Sequence, residues 1–236
     1  MVRVTGPVVE SLAGTFISDW YMEAADPSSL IDNNEDDLAR IRHGADIHQV
    51  ESTGNIPVQL VPSGPEQVPE AIHNLLLTTI YSARKELVLT TPYFVPDESL
   101  LRALESAAQR GVGVTIIVPE KNDSKLVHYA SQAHCRKLAE SGVKVMLFNG
   151  GLLHSKTITI DRECSLFGSV NLDMRSFWIN FEATLFIYSQ SFTSNLRAVQ
   201  ERYTLQSTPL APEKLSQRPV IKRFKENVAL LMGPLL

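Results

Sequence analysis

From residue 56 onward the chain alternates short runs of Val, Ile and Leu with longer stretches whose apolar residues recur every three or four positions. That alternation limits the fold more than any other feature. A strand followed by a helix that crosses back over the sheet builds a βαβ unit, whose strands are buried on both faces. A short strand at 57–61 leads through a Pro/Gly turn to a helix near 66–84, with Val68, Ile72, Leu75, Leu76 and Ile80 along one stripe. Strand ELVLTT (86–91), the loop PYFVPD and a helix near 98–110 closed by Gly111 come next. Strand 112–118, the loop PEKND, a helix near 124–140 closed by Ser141-Gly142 and strand 143–148 repeat the unit. KTITI and CSLFG, separated only by DRE, read as a hairpin; EATLFIYS (182–189) is a further strand, followed by a helix near 191–205. The expected class is α/β: an α-β-α sandwich around a mixed, largely parallel sheet, with a site where the strands end.

The flanks differ in character, which gives four expected segments. Residues 1–24 carry one helix, opened by Pro7 and apolar at Val8, Val9, Leu12, Phe16 and Trp20. Residues 25–55 hold seven acids (Asp26, Asp32, Glu35, Asp36, Asp37, Asp46, Glu51) against Arg40 and Arg42, and read as an acidic linker or long loop with His43 and His48 in solvent. Residues 56–210 form the α/β domain. The tail, 211–236, sets Lys214, Arg218, Lys222, Arg223 and Lys225 among Val220, Ile221, Phe224, Val228 and Leu231. A basic amphipathic helix of this kind either lies on an anionic membrane surface or packs on the domain with its basic face in water.

Composition removes several classes. The balance of 22 Lys+Arg against 26 Asp+Glu, a net charge of −4, offers no general footprint for nucleic acid. No apolar run approaches the ~18 residues of a membrane-spanning helix. Cys135 and Cys164 lack metal-ligand spacing and form no disulfide framework, which suits a reducing compartment. His128 and His134, six apart on a helix, lie on different faces and read as packing or surface residues.

The residues that carry chemistry cluster in 151–188. His154 and Lys156, two apart on an expected strand, project from one face. After the hairpin, Gly168, Ser169 and Asn171 add a hydroxyl and a carboxamide on a strand-ending loop. A basic pair opposite such donors makes a receptor for a tetrahedral anion such as a phosphodiester, stabilised without a metal. An imidazole can serve there as nucleophile or general acid, provided a partner fixes its tautomer. Glu182, opening the next strand, is the candidate partner. The joint spacing is His-x-Lys, four residues, Asp161, six residues, then Gly-Ser-x-Asn.

That spacing resembles the signature of the phospholipase D superfamily. GLLHSKTITID, GSVNLDMRSFWINFEATLFIYS, TTPYFVPDESLLRALESAAQRGV and the closing RPVIKRFKENVALLMGPLL resemble the C-terminal half of bacterial cardiolipin synthases, so that residues 1–24 and 56–236 are covered. The resemblance implies a phospholipase D-like sandwich and metal-free, cofactor-free ping-pong chemistry. One phosphatidylglycerol loses glycerol to a histidine, and a second takes the phosphatidyl group to give cardiolipin. It implies that His154 forms the phosphatidyl-histidine or protonates the leaving group, and that Lys156, Ser169 and Asn171 hold the non-bridging oxygens. Asp161 would complete the motif as support, and Glu182 would accept a hydrogen bond from His154. Asp173, Arg175 and Ser176 match the family's continuation, and Tyr93 would lie near a lipid-binding cleft. The implied partners are phosphatidylglycerol and an anionic membrane, at the cytoplasmic face of a bacterial inner membrane.

The resemblance also shows a departure. Cardiolipin synthases carry two such motifs, one histidine attacking phosphorus while the other protonates the leaving group. Here none of His43, His48, His73, His128 or His134 has Lys two residues on. RVTGPVVESLAGTFISDWYMEA resembles the segment after the first motif in those enzymes, so the chain is expected to begin past that half. The second histidine is then expected from a homodimer or from a separately encoded first half, the third outcome being a truncated product with little activity. Two other readings compete: a single-motif phosphodiesterase, and an inactive lipid-binding module.

Overall fold

The computed structural model describes residues 1–23, 49–64, 70–210 and residue 229. Most of the acidic stretch expected at 25–55, and the basic tail expected at 211–236 apart from Ala229, lie outside the described residues. Two compact units are present, Met1–Leu60 and Val61–Leu236.

In the first unit, helix α1 (Val8–Glu23) occupies the span read from the sequence. Gly6, at φ 86°, turns the chain so that its carbonyl accepts from Val9 N–H at 3.0 Å. The Glu10 carboxylate accepts a hydrogen bond from the Val50 backbone N–H.

The second unit carries the alternating pattern. Strand β1 (Val58–Ser63) crosses the division between the units; α2 (Ala71–Ser82), β2 (Glu86–Thr90), β3 (Phe94–Val95), α3 (Glu98–Gln109), β4 (Gly113–Pro119), α4 (Lys125–Glu140) and β5 (Lys144–Phe148) follow. Then come β6 (Thr157–Ile160), β7 (Cys164–Gly168), β8 (Leu172–Asp173), α5 (Met174–Trp178), β9 (Glu182–Ile187), α6 (Gln190–Leu205) and β10 (Ser207–Pro209). The sheet order is β1-β9-β7-β6-β2-β4-β5-β10, with β3 and β8 paired separately. β2, β4 and β5 are parallel neighbours; β6, β7, β9 and β10 join through antiparallel pairs. This is the mixed sheet expected.

Alternation along the strands makes it a three-layer structure. Leu87, Leu89, Ile116, Val145, Ile158 and Ile160 point into one core together with Ile72, Leu76, Leu100, Leu104 and Leu138 of α2, α3 and α4. Val88, Ile117 and Met146 point the other way, into a second core with Phe148, Leu153 and Tyr203 of α6. α6 also grips β6 by a polar contact. The fully buried Gln200 accepts from Thr159 Oγ1 (2.8 Å) and donates to Thr157 Oγ1 and to the Val88 carbonyl (both 3.2 Å). Such a satisfied buried network fixes strand position more strictly than apolar packing does.

Four short elements go beyond the sequence reading: β3 inside the PYFVPD loop, its partner β8, the one-turn helix α5 and the edge strand β10. Among the described residues, no helix is long and apolar enough to cross a membrane.

Candidate active site

Strand direction decides which loops meet. β2, β4 and β7 end at the edge of the sheet where β6 and β9 begin, as Thr90 pairs with Thr157, Thr157 with Phe167 and Gly168 with Thr184. The loops at that edge supply Tyr93, Asp123, His154, Lys156, Ser169 and Asn171, and the start of β9 supplies Glu182. Carboxyl ends of parallel strands are where α/β folds place ligands.

His154 and Lys156 precede β6 rather than lying on it, which differs from the expectation. Gly151, at φ 116°, turns the chain, and Leu153 anchors it in the second core, leaving His154 exposed. Lys156 then folds back over its neighbour: Nζ lies 3.2 Å from His154 Nδ1, 3.3 Å from Nε2 and 3.2 Å from the His154 carbonyl. Burial lowers the Lys156 pKa below its ordinary value, while the charges of Glu182 and Asp173 hold the ammonium form.

Gly168 is needed here for space rather than for flexibility. A Cβ on it would lie 2.5 Å from the Ala183 carbonyl oxygen and 2.7 Å from Thr184 Cα, both backbone atoms of β9. That close approach lets Ser169 bond to Ala183 through its own N–H (3.0 Å) and its hydroxyl, which accepts from the Ala183 N–H at 3.0 Å. Asn171 is set by a short chain of donors. Its Nδ2 donates to Ser176 Oγ at 3.1 Å, and Ser176 is fully buried with its N–H on Asp173 Oδ1 at 2.7 Å. Asn171 Oδ1 is buried without a partner, so the amide is held from one side only. Burial raises the Asp173 pKa, opposed by the Ser176 donors, with the nearby Glu182 charge raising it further.

Two carboxylates of the motif region have partners outside the His154–Lys156 pair. Glu182 accepts its hydrogen bond from Asn180 Nδ2 at 3.2 Å, not from His154, and acts on the site through the Lys156 charge. Asp161 stands apart from the catalytic pair with which the motif groups it. It occupies the β6–β7 turn, at the opposite end of a four-residue strand about 13 Å long. There its carboxylate accepts from three consecutive backbone N–H groups, Arg84 (2.9 Å), Lys85 (2.7 Å) and Glu86 (2.8 Å). Burial works to raise the Asp161 pKa, but those three donors and the Lys85 charge bring it below the usual value.

Sequence reasoning missed Asp123. It lies on the loop after β4 and accepts a 2.9 Å hydrogen bond from the Tyr93 hydroxyl. The rule that loops after parallel strands line sites was the one signal that pointed to it. Burial, then the bond to Asp123, raises the Tyr93 pKa; Tyr93 and the Ser124 N–H lower that of Asp123, with a smaller effect from His154. A buttress stands behind α5: His73 Nε2 is 3.0 Å from Asp97 Oδ1, and the His73 ring packs on Phe177 and Trp178 at 5.5 and 5.3 Å. Among the described residues, no group of three or more His, Cys, Asp or Glu is placed to hold a metal.

A sandwich of this topology with a His-Lys pair at its strand ends is a phospholipase D-type fold. Solved structures agree at the level of fold. Nuc, a phospholipase D family member from Salmonella typhimurium, aligns at TM-score 0.58 and 24% identity over 66% of this chain and 99% of its own. Phosphatidylserine synthase from Haemophilus influenzae aligns at TM-score 0.62 and 20% identity over 87% of this chain and 57% of its own. Residues 76–203 match the family described as "Cardiolipin synthase, PLD-like domain". Cardiolipin synthase A of Pectobacterium carotovorum is 44% identical over 100% of this chain and 46% of its own length, and that of Yersinia pseudotuberculosis is 42% identical with the same coverage. The chain belongs to the cardiolipin synthase family of the phospholipase D superfamily, and spans about half the length of the curated relatives it matches.

Proposed function

We propose that the chain supplies one histidine half of a phosphatidyltransferase that makes cardiolipin from two phosphatidylglycerols and releases glycerol. The observation that carries this reading is the Lys156 ammonium over the His154 ring, at the same sheet edge as Ser169 and Asn171. In the first half-reaction a His154 ring nitrogen bonds to phosphorus while the P–O bond to the headgroup glycerol breaks. The departing oxygen takes a proton from a second histidine. In the return, the hydroxyl of a second phosphatidylglycerol gives its proton to that histidine and attacks phosphorus, and the P–N bond breaks. Lys156, Ser169 and Asn171 hold the non-bridging oxygens as charge redistributes. Asp173 and Glu182 keep Lys156 cationic, and Asp161 fixes the far end of β6.

The 236 residues contain the His-x-Lys-x4-Asp spacing once. The acid is then the His154 of a second copy, or the histidine of a first half that carries the other motif. On this reading the lipid substrate brings the working protein to an anionic membrane, at the cytoplasmic face of a bacterial inner membrane. The test is to incubate the purified chain with phosphatidylglycerol vesicles, alone and with the first half of a related two-motif enzyme added. Cardiolipin and glycerol are expected in equal amounts, and His154→Ala is expected to reduce both to background. Robust product from the alanine variant would overturn the proposal.

A further inference from the structure

The Tyr93–Asp123 pair has no part in the transfer steps above, yet it stands beside the groups that do. Phe94 pairs in parallel register with Leu172, so Tyr93 and Asn171, one residue earlier on each chain, are neighbours at about one strand spacing. Thr91 Oγ1 fixes this junction by donating to the Tyr93 carbonyl (2.7 Å) and accepting from Leu172 N–H (3.3 Å). The loop after β4 is tied to the loop after β2 twice, by Asn122 Nδ2 on the Pro92 carbonyl (2.9 Å) and by the Tyr93 hydroxyl on Asp123 Oδ2 (2.9 Å). Asp123 Oδ1 accepts from Ser124 N–H at 2.8 Å. Two acceptor oxygens, a phenol and a carboxylate, are thus held side by side before any ligand arrives.

We propose that Tyr93 and Asp123 form a subsite for the vicinal hydroxyls of a glyceryl headgroup whose phosphodiester lies on Lys156 and Asn171. This rests on the phosphatidyltransferase reading and names the part of the substrate that the phosphate groups leave unread. Three features support a neutral polyol. The phenol proton is committed to Asp123, so both oxygens keep lone pairs to offer as acceptors and match the two O–H donors of a diol. The carboxylate repels a headgroup bearing a second phosphate. The Tyr93–Asn171 separation is one that a three-carbon alcohol esterified to the phosphate can span.

The test uses soluble phosphodiesters that differ only in one ester: glyceryl methyl phosphate, propyl methyl phosphate and aminoethyl methyl phosphate. Affinities are measured by NMR titration of wild type, Asp123→Asn, Tyr93→Phe and Lys156→Ala. Wild type is expected to prefer the glyceryl over the propyl ester by about 10-fold, the scale of one or two hydrogen bonds. Asp123→Asn and Tyr93→Phe should narrow that preference to about 2-fold without weakening the propyl ester, while Lys156→Ala weakens both esters alike. Equal affinity of wild type for the glyceryl and propyl esters, a preference unchanged in both variants, or tighter binding of the aminoethyl ester overturns the subsite and leaves the phosphodiester site standing. Failure of every ester to bind overturns the phosphodiester site, and the subsite with it.

Discussion

Asp161 belongs to the motif yet stands at the far end of β6 from the His154–Lys156 pair. It takes three backbone N–H groups at the mouth of β2, at the opposite end of β6 from Lys156, so its task is to seat two strands against each other. Asp161→Asn keeps the shape and removes the charge. The expected result is a loss of about 1–2 kcal/mol of stability at neutral pH, the lower figure reflecting solvent access to the turn. Turnover per folded molecule should stay within about 2-fold of wild type, since no transition-state contact is lost. The pH dependence has a definite sign. The folded pKa lies below the ordinary 3.8, so the carboxylate contributes fully above that value and loses its contribution as pH falls through the folded one. Wild-type and variant melting curves should therefore converge in acid. A variant that melts like wild type at pH 7 but has lost its activity would return Asp161 to the chemistry.

At the scale of elements, the close approach of β7 to β9 sets the loop that carries Ser169 and Asn171. Gly168→Ala places a Cβ against backbone atoms that have no rotamer to move away. Relief requires the strands to part, at about 1–3 kcal/mol, which corresponds to a fall in Tm of roughly 4–8 °C for a 2 kcal/mol loss in a chain this size. Ser169 moves with the strand, so activity should fall further than the folded fraction does. An unchanged Tm with unchanged turnover would refute this. The elements that were legible in the sequence are those whose burial is periodic. Leu87/Val88/Leu89 and Val145/Met146 serve both cores and read as buried strands, and the Ile158/Ile160 and Thr157/Thr159 alternation reads as a strand between a core and α6. The elements that were not legible have no local cause. β3 and β8 are two residues each and exist because Phe94 meets Leu172 from 78 positions away. The approach of Lys156 to His154 arises from the Leu153 anchor and the Gly151 turn, not from strand pleating. Asp123 has no signal in its own neighbourhood and becomes part of the site through the parallel order of β2 and β4.

For the whole molecule, the open quantity is how many copies of His154 one active unit contains. One imidazole cannot bond to phosphorus and protonate the departing oxygen in the same step, and the spacing that marks such an imidazole occurs once in the sequence. If two copies of the chain face each other, each active unit holds two His154 rings, and removing one disables the unit. Mixing wild type with an equal amount of His154→Ala, under conditions that let copies exchange, then leaves about a quarter of the units with two wild-type copies. Total product per mole of chain should fall to about a quarter of the all-wild-type value, and further additions should lower it with the square of the wild-type fraction. With a first half supplied in excess, a chain that draws its second histidine from that half gives a straight line instead, with about half the activity at equal mixing. The measurement is cardiolipin formed at fixed total protein across a series of mixing ratios, with native mass in detergent as the parallel readout. Curvature together with a mass of two chains assigns the acid to the partner's copy of the same residue. A straight line that appears only when the first half is added, with one chain of this sequence per unit, assigns it to that half and excludes the homodimer.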